Sequence, residues 1–150
     1  MITPAGMIWG PRKASYVYAV VQGESIYFGE TGDLPARRWG QHLGVGGTFT
    51  SALGIEGFAT SDEVLFVGVR CTAVDGEMEA YRKLARRAVE EELHRQFFLD
   101  SGAFGEELSV VSNAPSAPVR VAWSFDPRAA AIEAYRIVVN DFKRWRAAYP

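Results

Sequence analysis

The sequence predicts an α/β domain of the α+β kind, a small and mainly antiparallel three-stranded central sheet flanked by helices. Three observations carry this reading. The apolar runs Tyr16-Val17-Tyr18-Ala19-Val20-Val21 and Ile26-Tyr27-Phe28 are β-branched or aromatic but for one alanine, and Gly23, Glu24 and Ser25 form a polar gap between them. Two strands and a short turn make a β-hairpin. A further apolar run, Val64, Leu65, Phe66, Val67 and Val69, predicts a third strand over residues 61–70. Residues 77–98 repeat apolar side chains at the helical period, with Met78, Tyr81, Ala85, Ala88, Val89 and Gln96 near one face.

The connecting segments follow from turn chemistry. Gly29 leads into Glu30-Thr31-Gly32-Asp33, where the backbone turns sharply and Asp33 or Thr31 is placed to cap a helix starting near Leu34 or Pro35. On that helix Arg37, Arg38, Gln41 and His42 lie three to five residues apart, so at least two share a face suited to a phosphate. Gly44, Gly46 and Gly47 mark a loop, and residues 48–53 suit a short helical turn. After the long helix, residues 101–118 are rich in Gly, Ser and Pro and read as irregular, and residues 119–125 suit an additional strand. Asp126-Pro127 reads as an N-cap followed by proline in the first turn, opening a helix to about residue 148. Without a repeat or a low-complexity linker, residues 1–150 read as one domain, with a C-terminal strand and helix added from about residue 114.

Composition narrows the function classes. With 48% hydrophobic residues, the 150-residue chain has enough apolar side chains for a core of its own. No apolar run reaches the length of a membrane span and no secretion-signal layout opens the chain, so no membrane partner and a cytoplasmic location are expected. Cys71 is the one cysteine, which excludes an internal disulfide and argues against a cysteine-based zinc site. A net charge of -2 argues against tight, sequence-independent binding to nucleic acid. Charge is nevertheless segregated: Arg12 and Lys13, Arg37 and Arg38, and Arg82, Lys83, Arg86 and Arg87 form basic groups, and acids gather at Glu90 to Glu92, Glu106 and Glu107. A locally basic cleft on an acidic body suits brief, metal-assisted contact with a polyanion.

The hairpin and the helix after it resemble the GIY-YIG nuclease domain. Tyr16-Val17-Tyr18 stands where that family has its first motif and Tyr27-Phe28-Gly29 where it has its second, with Glu30-Thr31-Gly32-Asp33-Leu34 continuing as the family loop does. The family arginine, eight residues beyond the motif glycine, falls on Arg37. His42 lies one position later than the family histidine, and Tyr16 replaces the first-motif glycine. Downstream, Arg86-Arg87-Ala88-Val89-Glu90-Glu91-Glu92-Leu93 resembles the family helix whose glutamate, three residues before a leucine, binds metal; this nominates Glu90. Periodicity taken alone nominates Glu92, nearer the centre of the apolar face. Asn113 stands for the asparagine that often closes the family domain, after a longer than usual insertion over residues 99–111. The resemblance covers about residues 15–113.

What the resemblance implies is a metal-dependent endonuclease acting on DNA in preference to RNA. Tyr18 would be the base, Arg37 the holder of the scissile phosphate, and Glu90 the ligand of one divalent ion, Mg2+ or Mn2+. Tyr27 and His42 would orient water or phosphate, and Arg37, Arg38 and Asn113 would contact the nucleic acid. Hydrolysis of a phosphodiester needs such a set, namely a base, a cation for the nonbridging oxygens and a metal for developing charge. Taken singly, each group has a plainer reading. Tyrosines in apolar strands are core aromatics, Glu90 to Glu92 beside Arg86, Arg87 and Arg95 are helical ion pairs, and the tryptophans pack. Two alternatives stand beside the nuclease: a catalytically inactive module of the same shape that binds nucleic acid or a protein partner, and an enzyme of another class on an unrelated mixed fold.

Overall fold

The computed structural model describes residues 13–43, 64–115 and 122–150. Its centre is a four-stranded sheet, order β3-β1-β2-β4, with helices on both faces, a mixed α/β arrangement. β1 (Tyr16–Gln22) and β2 (Ser25–Thr31) form the predicted antiparallel hairpin. They are joined at Gly23, whose φ of 57° is open to a residue without Cβ. β3 (Val64–Arg70) pairs antiparallel along the other side of β1. β1 is therefore an inner strand and is buried along its whole length, which is why its sequence is a continuous apolar run.

α1 (Pro35–Leu43) follows β2. Thr31 Oγ1 accepts from the Asp33 amide at 3.1 Å and Asp33 Oδ1 from the Leu34 amide at 2.7 Å, so both predicted capping residues are used in the turn. After β3 come a short α2 (Thr72–Asp75), a 3-10 turn at Glu79–Tyr81, and α3 (Arg82–Leu99). A second 3-10 turn, Ser101–Phe104, precedes β4 (Ser109–Val110), and α4 (Pro127–Ala148) ends the chain.

Strand alternation divides the core in two. Val17, Ala19 and Val21, with Ile26, Phe28, Leu65 and Val67, face α3 and α4 and pack on Val89, Leu93, Phe97, Val138 and Phe142. Tyr18, Val20, Val64 and Phe66 face the other way and pack with Trp39 of α1, flanked by Tyr27, Ala36 and Val111. Trp39 lies on Phe66 with ring centroids 4.7 Å apart. α4 is integral to the larger core, where Ala131, Ala134, Tyr135 and Trp145 are buried, and the Tyr135 hydroxyl donates to the Asp100 carbonyl at 2.5 Å, tying α4 to the end of α3.

Three expectations change. The sheet has a fourth strand: β4 joins β2 in parallel, and its two residues are too few to leave a pattern in sequence. The strand expected at 119–125 is absent over 122–125, where the Ser124 amide donates to a Glu77 carboxylate oxygen at 2.8 Å in place of a strand partner; residues 119–121 lie outside the described ones. The long helix starts at Arg82 instead of residue 77. The Arg82 guanidinium donates to the carbonyls of Glu77 (3.0 Å) and Asp75 (2.9 Å), closing the α2 segment as a separate turn. Met78 and Tyr81 are consequently 69% and 46% exposed, and the buried face of α3 is Ala85, Ala88, Val89, Leu93, His94 and Phe97. The helical turn expected at 48–53 lies outside the described residues. Among the described residues no helix is long and apolar enough to cross a membrane.

Asp126 accepts the Arg128 amide at 3.0 Å and Pro127 occupies the first turn of α4. Asp126→Ala is expected to lower the unfolding free energy by about 1 kcal/mol; a urea unfolding curve measures it, and an unchanged midpoint at equal slope refutes the cap.

Candidate active site

The site is built around one close approach. Tyr18 lies opposite Gly29 on β2 and opposite Gly68 on β3, so it has no side chain directly beside it on either neighbouring strand. Its ring lies across Gly29: a Cβ placed there would fall 2.4 Å from both Cζ and Oη of the phenol. The glycine of the Tyr27-Phe28-Gly29 motif is therefore a steric requirement of Tyr18. Tyr27, two residues back on β2, projects from the same face.

α1 brings its arginines to this face and α3 brings Glu90 to it past β2. Every pair among Tyr18, Tyr27, Arg38 and Glu90 interacts electrostatically. Burial raises the Tyr18 phenol well above its ordinary pKa, opposed by a hydrogen bond from Arg38 and reinforced by Tyr27 and Glu90. Tyr27 is raised by burial and by Glu90, with Arg38 opposing. Burial pushes the Glu90 carboxyl up to about 8; Glu30 adds to the rise, and Arg87 and Arg38 oppose it. Glu92, the choice periodicity favours, instead lies 3.9 Å from Arg95, which also approaches Glu91 at 3.7 Å. Geometry thus selects Glu90 as the carboxylate beside the tyrosines.

The two arginines differ. Arg38 is bonded to the Tyr18 phenol. Arg37 is 57% exposed and pairs with Asp33 at 2.9 Å, and together with Thr31, Asp33 and Arg38 it lines a cleft of about 430 Å³. An exposed ion pair of this kind is worth under about 1 kcal/mol, so Asp33 holds Arg37 only weakly. His42 lies in α1, but its side chain is outside the described residues. Asn113 is exposed. The neighbouring Ser112 makes the closing contact, its Oγ accepting the Phe28 amide of β2 at 2.9 Å. Tyr16, at the first-motif glycine position, shares the face of Tyr18, but its phenol is surrounded by Arg70, Asp75 and Asp33 instead of the Glu90 group.

Sequence reasoning missed two participants, His94 and Ser112, and gave Arg86 a different partner. Arg86 pairs with Glu30 at 2.7 Å in a largely buried bridge, 13% and 15% exposed, which holds α3 to β2 beside Glu90. His94 and Ser112 complete the contact behind Glu90. The i,i+4 spacing of Glu90 and His94 was a readable signal, whereas Ser112 carried none.

Among the described residues, no group of three or more His, Cys, Asp or Glu side chains is placed to hold a metal. Mg2+ commonly uses one or two carboxylates and takes its other ligands from water and substrate phosphate. Glu90 suits that mode, because a half-buried carboxylate beside Glu30 gains most from a cation that offsets both burial and like charge. Comparison with protein-family models, with curated proteins and with solved structures found no match.

Two measurements check this geometry. Gly29→Ala is expected to cost about 1–3 kcal/mol by overpacking and to cost less in a Tyr18→Ala background, since the two residues touch; equal costs in both backgrounds refute the close approach. Glu90 keeps its proton to about pH 8 when folded against an ordinary 4.5, so between those values the folded state binds more protons and stability falls as pH rises. His94, lowered by burial, acts in the opposite sense: stability falls as pH drops below its ordinary 6.5. That contribution is common to parent and variant. Relative to the parent, Glu90→Gln is therefore expected to gain stability steadily from pH 4.5 to 8 in a urea series, and parallel profiles rule out the shifted carboxyl.

Proposed function

We propose that the chain is a GIY-YIG-type, metal-dependent nuclease that hydrolyses phosphodiester bonds in DNA, in preference to RNA. The observation that carries the reading is the convergence of Tyr18, Tyr27, Arg38 and Glu90, drawn from two strands and two helices around Gly29. The sequence resemblance pointed to the same hairpin and to the same glutamate.

In this reading Tyr18 takes the proton of the attacking water. Burial opposes the phenolate, and the hydrogen bond from Arg38 favours it, so Arg38 has a double role: it holds the base and faces the phosphate. Arg37, on the exposed wall of the cleft, binds phosphate through a planar guanidinium suited to two oxygens at once. Tyr27 orients water or phosphate beside Glu90. A divalent ion held by Glu90 would supply positive charge to the developing negative charge on phosphorus-bound oxygens. The half-buried setting strengthens each of these charge interactions over its value in water.

A second reading, a nucleic-acid or protein-binding module that does not cut, draws on one specific observation, the strong bias of the Tyr18 phenol toward its protonated form. One assay separates the two. Purified protein with Mg2+ or Mn2+ is expected to cleave DNA. Tyr18→Phe, Arg38→Ala and Glu90→Gln are each expected to lower kcat by about 100-fold or more, while Arg37→Ala mainly raises KM. Binding without cleavage under both metals favours the module; Arg38→Ala and Glu90→Gln cutting as fast as the parent sinks the nuclease assignment.

A further inference from the structure

We infer that His94 is a positioning residue, which with Ser112 locks the turn of α3 that presents Glu90 against the strand that carries Tyr27 and Gly29. The inference rests on the nuclease reading above and names a part of its machinery that neither the motifs nor periodicity assigned.

His94 is 2% exposed, and its ring stands edge-on to Phe28 at 5.3 Å. An imidazole in such a place is costly unless both nitrogens are satisfied, and both are. Nδ1 lies 2.9 Å from the carbonyl oxygen of Glu90 and Nε2 lies 2.7 Å from Ser112 Oγ. A carbonyl only accepts, so Nδ1 carries the hydrogen and donates it. Nε2 then accepts the Ser112 hydroxyl proton, and Ser112 Oγ in turn accepts the Phe28 amide at 2.9 Å. The result is one directed chain from the Phe28 amide through Ser112 and His94 to the Glu90 carbonyl. In the neutral imidazole every member is satisfied.

Both ends of the chain lie in the site. Phe28 is the residue between Tyr27 and Gly29, and the other terminus is the backbone of Glu90 itself. The chain also completes the outer edge of β2 where β4 stops. β4 pairs with Ser25 and Ile26, the Val111 amide donates to the Ile26 carbonyl at 2.8 Å, and the next outward amide, that of Phe28, goes to the Ser112 side chain. Beyond this point β4 no longer pairs with β2, and Glu90 comes into electrostatic range of Tyr18 and Tyr27. A leucine or phenylalanine at position 94 would fill the space with no polar atom to satisfy. The histidine adds direction: its two bonds set the distance between the Glu90 turn and β2, a distance that apolar contact leaves free to slide.

His94→Phe keeps the ring volume and removes both bonds, and His94→Asn keeps a donor at the place of Nδ1. Mn2+ affinity is read by electron paramagnetic resonance on the protein without nucleic acid, and kcat and KM on DNA are read alongside. His94→Phe is expected to weaken Mn2+ binding about 10–100-fold, as loss of a group supporting a metal ligand does, and to lower kcat with KM unchanged. His94→Asn is expected to recover part of both, and Ser112→Ala to shift them in the direction of His94→Phe. In the parent, imidazole 15N shifts are expected to show a neutral ring with hydrogen on Nδ1. A folded His94→Phe with the parent's Mn2+ affinity and kcat overturns the inference and leaves the nuclease reading standing. Should His94→Phe not fold, Ser112→Ala alone decides, and parental values there overturn it equally. A parent that binds no Mn2+ and cuts nothing overturns both.

Discussion

The contact between the Tyr18 ring and the backbone of Gly29 is the constraint on which the rest of the site depends. It requires the hairpin register that places the two residues opposite one another, and that register in turn requires the tight turn at Gly23. A slip by one residue would send Tyr18 to the α3 face and bring Val17 or Ala19 to the α1 face, inverting both halves of the core. The packing of Val17, Ala19 and Val21 beneath α3 and α4 therefore stabilises the position of a phenol on the opposite side of the sheet. Packing and site are specified by the same alternation.

With the phenol laid across Gly29, electrostatics decides what surrounds it. Tyr18, Tyr27 and Glu90 each lose solvation, and each prefers its protonated form as a result. Arg38 opposes that preference at all three. The Arg86–Glu30 bridge helps to hold α3 against β2, and it also engages the carboxylate that most strongly reinforces the shift of Glu90. Under the proposed nuclease function, a divalent cation at Glu90 would offset both the burial and the like charge of Glu30 that raise this carboxyl.

Much of the arrangement could be read from residue order. The strands of the hairpin, the turn through Thr31 and Asp33, the helix after it, the third strand and the Asp126-Pro127 start of α4 all follow from local chemistry, because each signal lies within a few residues of the element it specifies. Where reading failed, the competing partner was distant. The start of α3 moved to Arg82 because its guanidinium caps carbonyls in the preceding segment. Trp123, Ser124 and Phe125 alternate as a strand would, yet the Ser124 amide is taken by Glu77, 47 residues earlier. Glu92 looked central to the apolar face only because that face was drawn through Met78 and Tyr81, which the true start of the helix leaves in solvent.

By itself the sequence determined that Tyr18, Tyr27, Gly29 and the two arginines belong to one strand-turn-strand-helix unit, and that a carboxylate of the 90–92 run was available to it. Those are matters of spacing along a chain, which dihedral preference and strand alternation convert directly into local geometry. Only the tertiary structure decided that Glu90 is the carboxylate, that Arg38 is the guanidinium on the phenol, that Ser112 rather than Asn113 closes on β2, and that His94 stands behind the glutamate. Each of those choices depends on how α3 and the β4 segment dock against β2. Docking is a long-range packing outcome, and no local preference in the chain encodes it.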